Sequence, residues 1–254
     1  LGYLDDKRKF TAKYKLLFQI GIACLMYYLG FKIKILTNPF GDDIILGIIS
    51  FPLTIVWFLL VINAFNLIDG IDGLASGIAV IVNLVLFAVG LLFSNKMIML
   101  LALTLIGSNM AFLKYNFYPA KIFMGDTGSL FIGFNIAAIS VTGSIQFKGI
   151  TTMTLLIPII ALTFPISDTF LAIVRRIKKK ESIFLADKEH IHHKMMESGY
   201  NQKTISIIGY TITFLFGLIA FGFSFASKEI LLVILLLLII LLALFFIFTK
   251  GLHK

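Results

Sequence analysis

The chain has 254 residues, 59% of them hydrophobic and 14% charged, with a mean hydropathy of +1.00. That composition excludes a soluble globular domain, whose single core could not bury so much apolar surface. The net charge of +9 is read as loop charge that orients membrane helices rather than as a nucleic-acid surface.

Apolar segments run through 16–31, 47–63, 74–93, 97–113, 129–145, 151–172, 205–225 and 230–248, each close to the length a spanning helix needs. They predict an all-α polytopic integral membrane protein with about eight transmembrane helices. Cys24 lies in the first segment and is the single cysteine, so no disulfide is expected. If the helices alternate, one face receives the N-terminus, 64–73, 114–128, 174–204 and the C-terminal tail. That face carries 17 of the 22 Lys and Arg, which makes it cytoplasmic by the positive-inside rule. The basic and His-rich loop 174–204 is its largest internal piece. No inverted repeat of the transporter kind is evident.

The unusual polar residues fall on that same face. They are Asp5 and Asp6 in "YLDDKRK", Asn66, Asp69 and Asp72 in "NLIDGIDG", Asn116 and Asp126 in "KYNFYPAKIFMGDTGS", and His190, His192 and His193 in "DKEHIHHK". Asp168 in "FPISDTF" stands about seven residues inside a helix ending at Arg175, on the order of 10 Å from that end. A carboxylate at such depth is costly and marks a functional suspect.

Carboxylates with an asparagine oxygen suit a hard cation, Mg²⁺ or Mn²⁺, and Mg²⁺ favours one or two carboxylates plus substrate phosphates. Phosphoryl transfer is the chemistry such a set can serve, and glycines beside the acids allow close approach to a phosphate. Plainer readings stand beside it. "IDGIDG" can be a capped turn, Asp5 and Asp6 a solvated face, and "RRIKKK" an orientation signal or anionic-lipid contact. The histidines can be a surface cluster, and Asp168 can pair with a neighbouring helix. Joint occurrence on one face favours a site. An ion-coupled transporter would instead spread acids through the bilayer depth. An inactive truncated scaffold is the third alternative.

At these residues the sequence resembles the polyprenyl-phosphate N-acetylhexosamine-1-phosphate transferase family. "GYLDDKRKFTAKYKLL" resembles its paired-aspartate motif, "NAFNLIDGIDGLASG" its asparagine-aspartate loop and "NFYPAKIFMGDTGSLFIGF" its metal-binding loop. "PISDT" resembles a later helix and "DKEHIHHKMMESGYNQK" its histidine loop. The resemblance runs from Leu1 to about Lys203 and implies one transmembrane transferase domain over 1–254. It also implies further helices before the paired aspartates, so the chain is expected to be N-terminally truncated relative to the family.

The resemblance further implies transfer of a sugar 1-phosphate from a UDP-sugar to undecaprenyl or another polyprenyl phosphate. UMP is released on the cytoplasmic face of a plasma membrane. Asp126 would coordinate Mg²⁺ with Asn66 near the metal. Asp5 and Asp6 would orient or deprotonate the lipid phosphate, Asp69 and Asp72 would shape the metal and nucleotide site, and Phe123 would stack on uracil. His190, His192 and His193 would contact donor phosphates, and Asn116 and Asp168 are counted with the substrate-binding residues. Ile191 interrupts the histidine run, which favours the branch using UDP-N-acetylglucosamine, in envelope glycans such as teichoic acid or O-antigen. The phospho-N-acetylmuramoyl-pentapeptide transferase branch of peptidoglycan synthesis is the alternative. Membrane lipids are expected partners, nucleic acid is not, and a homodimer is left open.

Overall fold

The protein is described from a computed structural model, which describes residues 1–36, 44–146 and 195–222, with isolated positions between 163 and 176 and between 233 and 244. The helices in chain order are α1 (Gly2–Arg8), α2 (Ala12–Tyr28), α3 (Ser50–Ile68), α4 (Leu74–Leu92), α5 (Lys96–Asn116), α6 (Gly125–Gln146) and α7 (Gln202–Gly222). Between α2 and α3 a short antiparallel pair, β1 (Ile35–Leu36) and β2 (Ile44–Ile45), sets Ile35 opposite Ile45.

The helices at Gly47–Ile68, Leu74–Leu92, Lys96–Asn116 and Gln202–Gly222 are long and apolar enough to cross a membrane. With α2 and α6 they account for six of the expected apolar segments. The expected spans at 151–172 and 230–248 lie outside the described residues. The fold is therefore that of an all-α integral membrane protein, but the described residues support four crossings rather than eight. α2 has 17 residues and starts four residues before the apolar run, at Ala12, so that Lys13 and Lys15 fall in its first turns.

α4 lies at the centre, packed on α5 and α7, while α3 packs on α6 and α2. Phe58, Phe65, Ile68, Ile78 and Ile136 are fully enclosed in the shared core. Lipid is as apolar as these side chains, so close packing and interhelical hydrogen bonds must hold the bundle together. Trp57 Nε1 of α3 donates to Ser140 Oγ of α6 at 2.9 Å, and Asn63 Nδ2 of α3 donates to Gln19 Oε1 of α2 at 2.8 Å. Asn95 caps α5 by accepting the Ile98 N–H at 3.1 Å, satisfying a donor left free in the first turn.

This arrangement brings the C-terminal ends of α3 and α5 beside the N-terminal ends of α4 and α6. α1 packs on α6 at that end. The approach requires glycine: a Cβ on Gly2 would come within 2.5 Å of Asp126 O and Thr127 Cα.

Candidate active site

A cavity of about 410 Å³ opens at that end, lined among others by Asn66, Asp69, Asp72, Asn116, Phe123 and Asp126. Asp69 caps the C-terminus of α3, Asn116 ends α5, and Asp126 occupies the first turn of α6. Two loops far apart in sequence, 69–73 and 117–124, thus form its walls, and α1 stands at its edge.

Asp126 is held from both sides. Its Oδ1 accepts the Asn66 Nδ2 amide at 3.0 Å, and its Oδ2 lies 2.5 Å from Lys15 Nζ. Asn66 Nδ2 also donates to Ser129 Oγ at 3.0 Å. Lys15 bridges as well to Asp5 Oδ2 at 2.5 Å.

The paired aspartates do different things. Asp5 is buried, and its Oδ1 accepts the Phe10 N–H at 2.6 Å. Burial pushes its carboxyl up, but Lys15, Asp126 and the Phe10 N–H outweigh that and hold it below its ordinary range. Asp6 is exposed and caps α6. Its Oδ1 accepts the Asp126 N–H at 2.9 Å, and its Oδ2 accepts the Thr127 N–H at 3.1 Å together with the Thr127 hydroxyl. The Thr127 hydroxyl chiefly, with the two N–H groups adding to it, holds Asp6 below its usual value against desolvation and the negative charge of Asp5. A carboxylate at a helix N-terminus also gains from the helix dipole.

Asp69 has the opposite character. Burial, with the negative charges of Asp126 and Asp6 added, pushes its carboxyl up to about 7. Phe123 is 78% exposed and presents an apolar ring at the cavity wall. Asn116 is buried and makes internal bonds: its Oδ1 accepts the Gly73 N–H and Ser76 Oγ, each at 3.1 Å, and its Nδ2 donates to Ile122 O at 2.9 Å. Asp72 Oδ2 accepts the Ala120 N–H at 2.9 Å. Asp168, His190, His192 and His193 lie outside the described residues.

Among the described residues no three of His, Cys, Asp and Glu are placed together as a ready-made metal cage. The donor set still fits Mg²⁺. Asp126, Asn66 and Asp69 offer hard oxygens on one cavity. Mg²⁺ takes one or two carboxylates and fills its shell with water and phosphate.

Lys15 lies within the paired-aspartate motif that the sequence resembles but is not among its candidate site residues, and neither are Thr127 and Ser129. The signal available was position: Lys15 begins the apolar part of α2, ahead of Leu16, Leu17 and Phe18, where a cation sits at the edge of the hydrocarbon.

Fold and site define an integral membrane protein with a carboxylate-lined cavity at the ends of its helices. The model of "Glycosyl transferase family 4" matches residues 1–144, more than half of the sequence, so the chain belongs to that family. It is 45% identical to a probable undecaprenyl-phosphate N-acetylglucosaminyl 1-phosphate transferase of Bacillus subtilis, over 87% of this chain and 61% of that protein. It is 35% identical to the decaprenyl-phosphate N-acetylglucosaminephosphotransferase of Mycobacterium leprae, over 87% of this chain and 60% of the relative. A phospho-N-acetylmuramoyl-pentapeptide-transferase of Clostridioides difficile is 32% identical, over 87% and 70%. The chain spans about three fifths of the length of the first two relatives.

Proposed function

We propose that the chain carries the active site of an enzyme that transfers N-acetylglucosamine 1-phosphate from UDP-N-acetylglucosamine to undecaprenyl or a related polyprenyl phosphate. The observation that carries this reading is the cavity holding Asn66, Asp69 and Asp126 at the ends of spanning helices. A water-soluble nucleotide and a membrane-held lipid phosphate can meet there. An oxygen of the lipid phosphate bonds to the sugar-bearing phosphorus of the donor. The bond from that phosphorus to the bridging oxygen breaks, and UMP leaves with that oxygen.

The residues divide this work. Asp126 and Asn66 would hold Mg²⁺, with Mn²⁺ as the alternative, and Asp69 adds a third oxygen donor nearby. The bound ion supplies charge neutralisation on the diphosphate. Phe123 offers a face for uracil, and His190, His192 and His193 offer donors to its phosphates. Lys15, between Asp5 and Asp126, is a cation for an entering phosphate, and Asp5 keeps it there. The acceptor is already largely ionised at neutral pH, since a phosphate monoester loses its second proton at about pH 6. The site would face the cytoplasm if the apolar segments of the sequence alternate across the membrane, since its side then carries 17 of the 22 Lys and Arg.

Two features weigh against an ion-coupled transporter. α3 and α4 contain no Asp, Glu, Lys or Arg, and the acids of the described residues gather at one end rather than along the depth. Identity to the N-acetylglucosaminyl relatives exceeds that to the muramoyl-pentapeptide one, which favours the simpler donor. The test is UMP release by the purified protein from UDP-N-acetylglucosamine and undecaprenyl phosphate, with Mg²⁺ or with chelator, beside Asp126→Asn. Mg²⁺-dependent release lost in the variant is expected. Release only from UDP-N-acetylmuramoyl-pentapeptide would move the protein to the other branch, and no release from either donor would overturn the reading.

A further inference from the structure

One face of α7 carries polar residues that none of these roles uses. Gln202, Ser206 and Tyr210 recur every four residues, so they stack along a single stripe of the helix. All three bond the main chain of the same two residues in the 69–73 loop. The Asp72 N–H donates to Gln202 Oε1 at 3.3 Å, Ser206 Oγ donates to Asp72 O at 2.9 Å, and Tyr210 Oη donates to Gly73 O at 2.6 Å. The tyrosine reaches that carbonyl because α4 leaves it room: a Cβ on Gly77 would sit 2.2 Å from the Tyr210 ring carbons Cε1 and Cζ.

The loop so held passes the constraint on. Asp72 Oδ2 takes the Ala120 N–H at 2.9 Å, tying the 69–73 loop to the 117–124 loop, which carries Phe123 at the cavity wall. Asn116 fixes the Gly73 N–H from a second side. The loop backbone is therefore set from α7 and α5, while the Asp69 carboxyl on the same loop lines the cavity. Preorganisation of this kind acts on binding, because a site fixed in advance loses less freedom when its ligand arrives.

We propose that Gln202, Ser206 and Tyr210 are positioning residues for the uridine nucleotide of the donor. Their ladder on α7 sets the 69–73 loop and, through Asp72, the wall that carries Phe123. This rests on the transferase reading for its ligand, but not for its geometry. The ladder governs donor affinity rather than the acceptor, because the acceptor's charged partners Asp5 and Lys15 stand on α1 and α2, which none of these hydrogen bonds reaches.

The experiment is steady-state UMP release by the full-length protein, varying UDP-N-acetylglucosamine and undecaprenyl phosphate in turn, for wild type, Tyr210→Phe and Ser206→Ala. Tyr210→Phe keeps the ring against Gly77 and removes one hydrogen bond, and Ser206→Ala serves if the first variant folds poorly. Each is expected to raise the donor KM about three- to tenfold, with kcat and the acceptor KM within about twofold. A fall in kcat at unchanged donor KM would mean that the helix merely holds the fold, and equal shifts in both KM values would also overturn the proposal. If the wild type releases no UMP, the transferase reading fails on its own, and the ladder is read by amide hydrogen exchange over residues 66–80. Faster exchange there in Tyr210→Phe supports it, and unchanged exchange overturns it.

Discussion

Lys15 Nζ stands 2.5 Å from Asp126 Oδ2 and 2.5 Å from Asp5 Oδ2, so one ammonium joins α1, α2 and the first turn of α6. Without it, a buried carboxylate and the Asp126 carboxylate would face each other uncompensated. Hydrogen bonds to charged groups are each worth about 1.5–3 kcal/mol, and the half-buried position argues for the low end. Lys15→Gln is therefore expected to lower kcat/KM roughly 100-fold. Lys15→Arg, which keeps the charge in a different shape, should recover part of it. Steady-state UMP release checks both.

Asp6 accepts three donors from Asp126 and Thr127, which makes it the cap of α6 as well as a member of the acidic pair. An N-cap replaced by alanine costs ~1 kcal/mol, whereas asparagine is nearly as good a cap as aspartate. Asp6→Ala should lower the thermal unfolding midpoint and misplace Asp126. Asp6→Asn should lower the midpoint by less, because it keeps one acceptor oxygen but turns an amide donor towards an N–H that the second carboxylate oxygen now accepts. If Asp6 also serves the reaction through its charge, Asp6→Asn loses as much activity as Asp6→Ala while losing less stability. Calorimetry beside the UMP assay separates the two effects.

Much of the site was legible in the sequence because an acid beside a membrane span is costly and stands out. Asn66, Asp69, Asp72 and Asp126 all reach one cavity as their shared face predicted. What was not legible depended on partners distant in the chain. Asp5 and Asp6 look alike as neighbours, and only the fold gives one Lys15 and the other the end of α6. The stripe at 202, 206 and 210 could have been noticed as polar residues at helical spacing in an apolar run, but its targets at Asp72 and Gly73 could not. The helices were legible from apolar length, and their ends less so: α2 begins at Ala12, ahead of its apolar run, and α6 begins at Gly125, where Asp6 from α1 accepts the N–H groups of its first turn.

Asp69 carries a pH signature. Its ordinary value is 3.8, and in the fold it stands at about 7. Between those values the folded protein holds a proton that the unfolded chain has released. Its contribution to stability is thus complete below about 4 and is lost as pH rises through about 7. Without added metal, the unfolding midpoint should fall from pH 5 to pH 8 more steeply in wild type than in Asp69→Asn. A cation favours the ionised carboxyl, so the Mg²⁺ concentration for half-maximal activity should drop as pH rises across this window. Asp69→Asn should flatten that dependence, which Mg²⁺ titrations at several pH values would measure.

Gly77 and Tyr210 form a size-matched pair between α4 and α7. A methyl at 77 would overlap the ring at 2.2 Å, and Tyr210 cannot retreat without releasing Gly73 O, to which it donates at 2.6 Å. Overpacking of this kind costs about 1–3 kcal/mol, so Gly77→Ala should lower the unfolding midpoint and loosen the 69–73 loop together. Residues in contact do not respond additively. Combining Gly77→Ala with Tyr210→Leu should therefore cost less than the sum of the two single changes, because the leucine vacates the space the methyl needs. Additive losses in a double-mutant cycle followed by thermal unfolding would show that the ring and the glycine do not depend on each other.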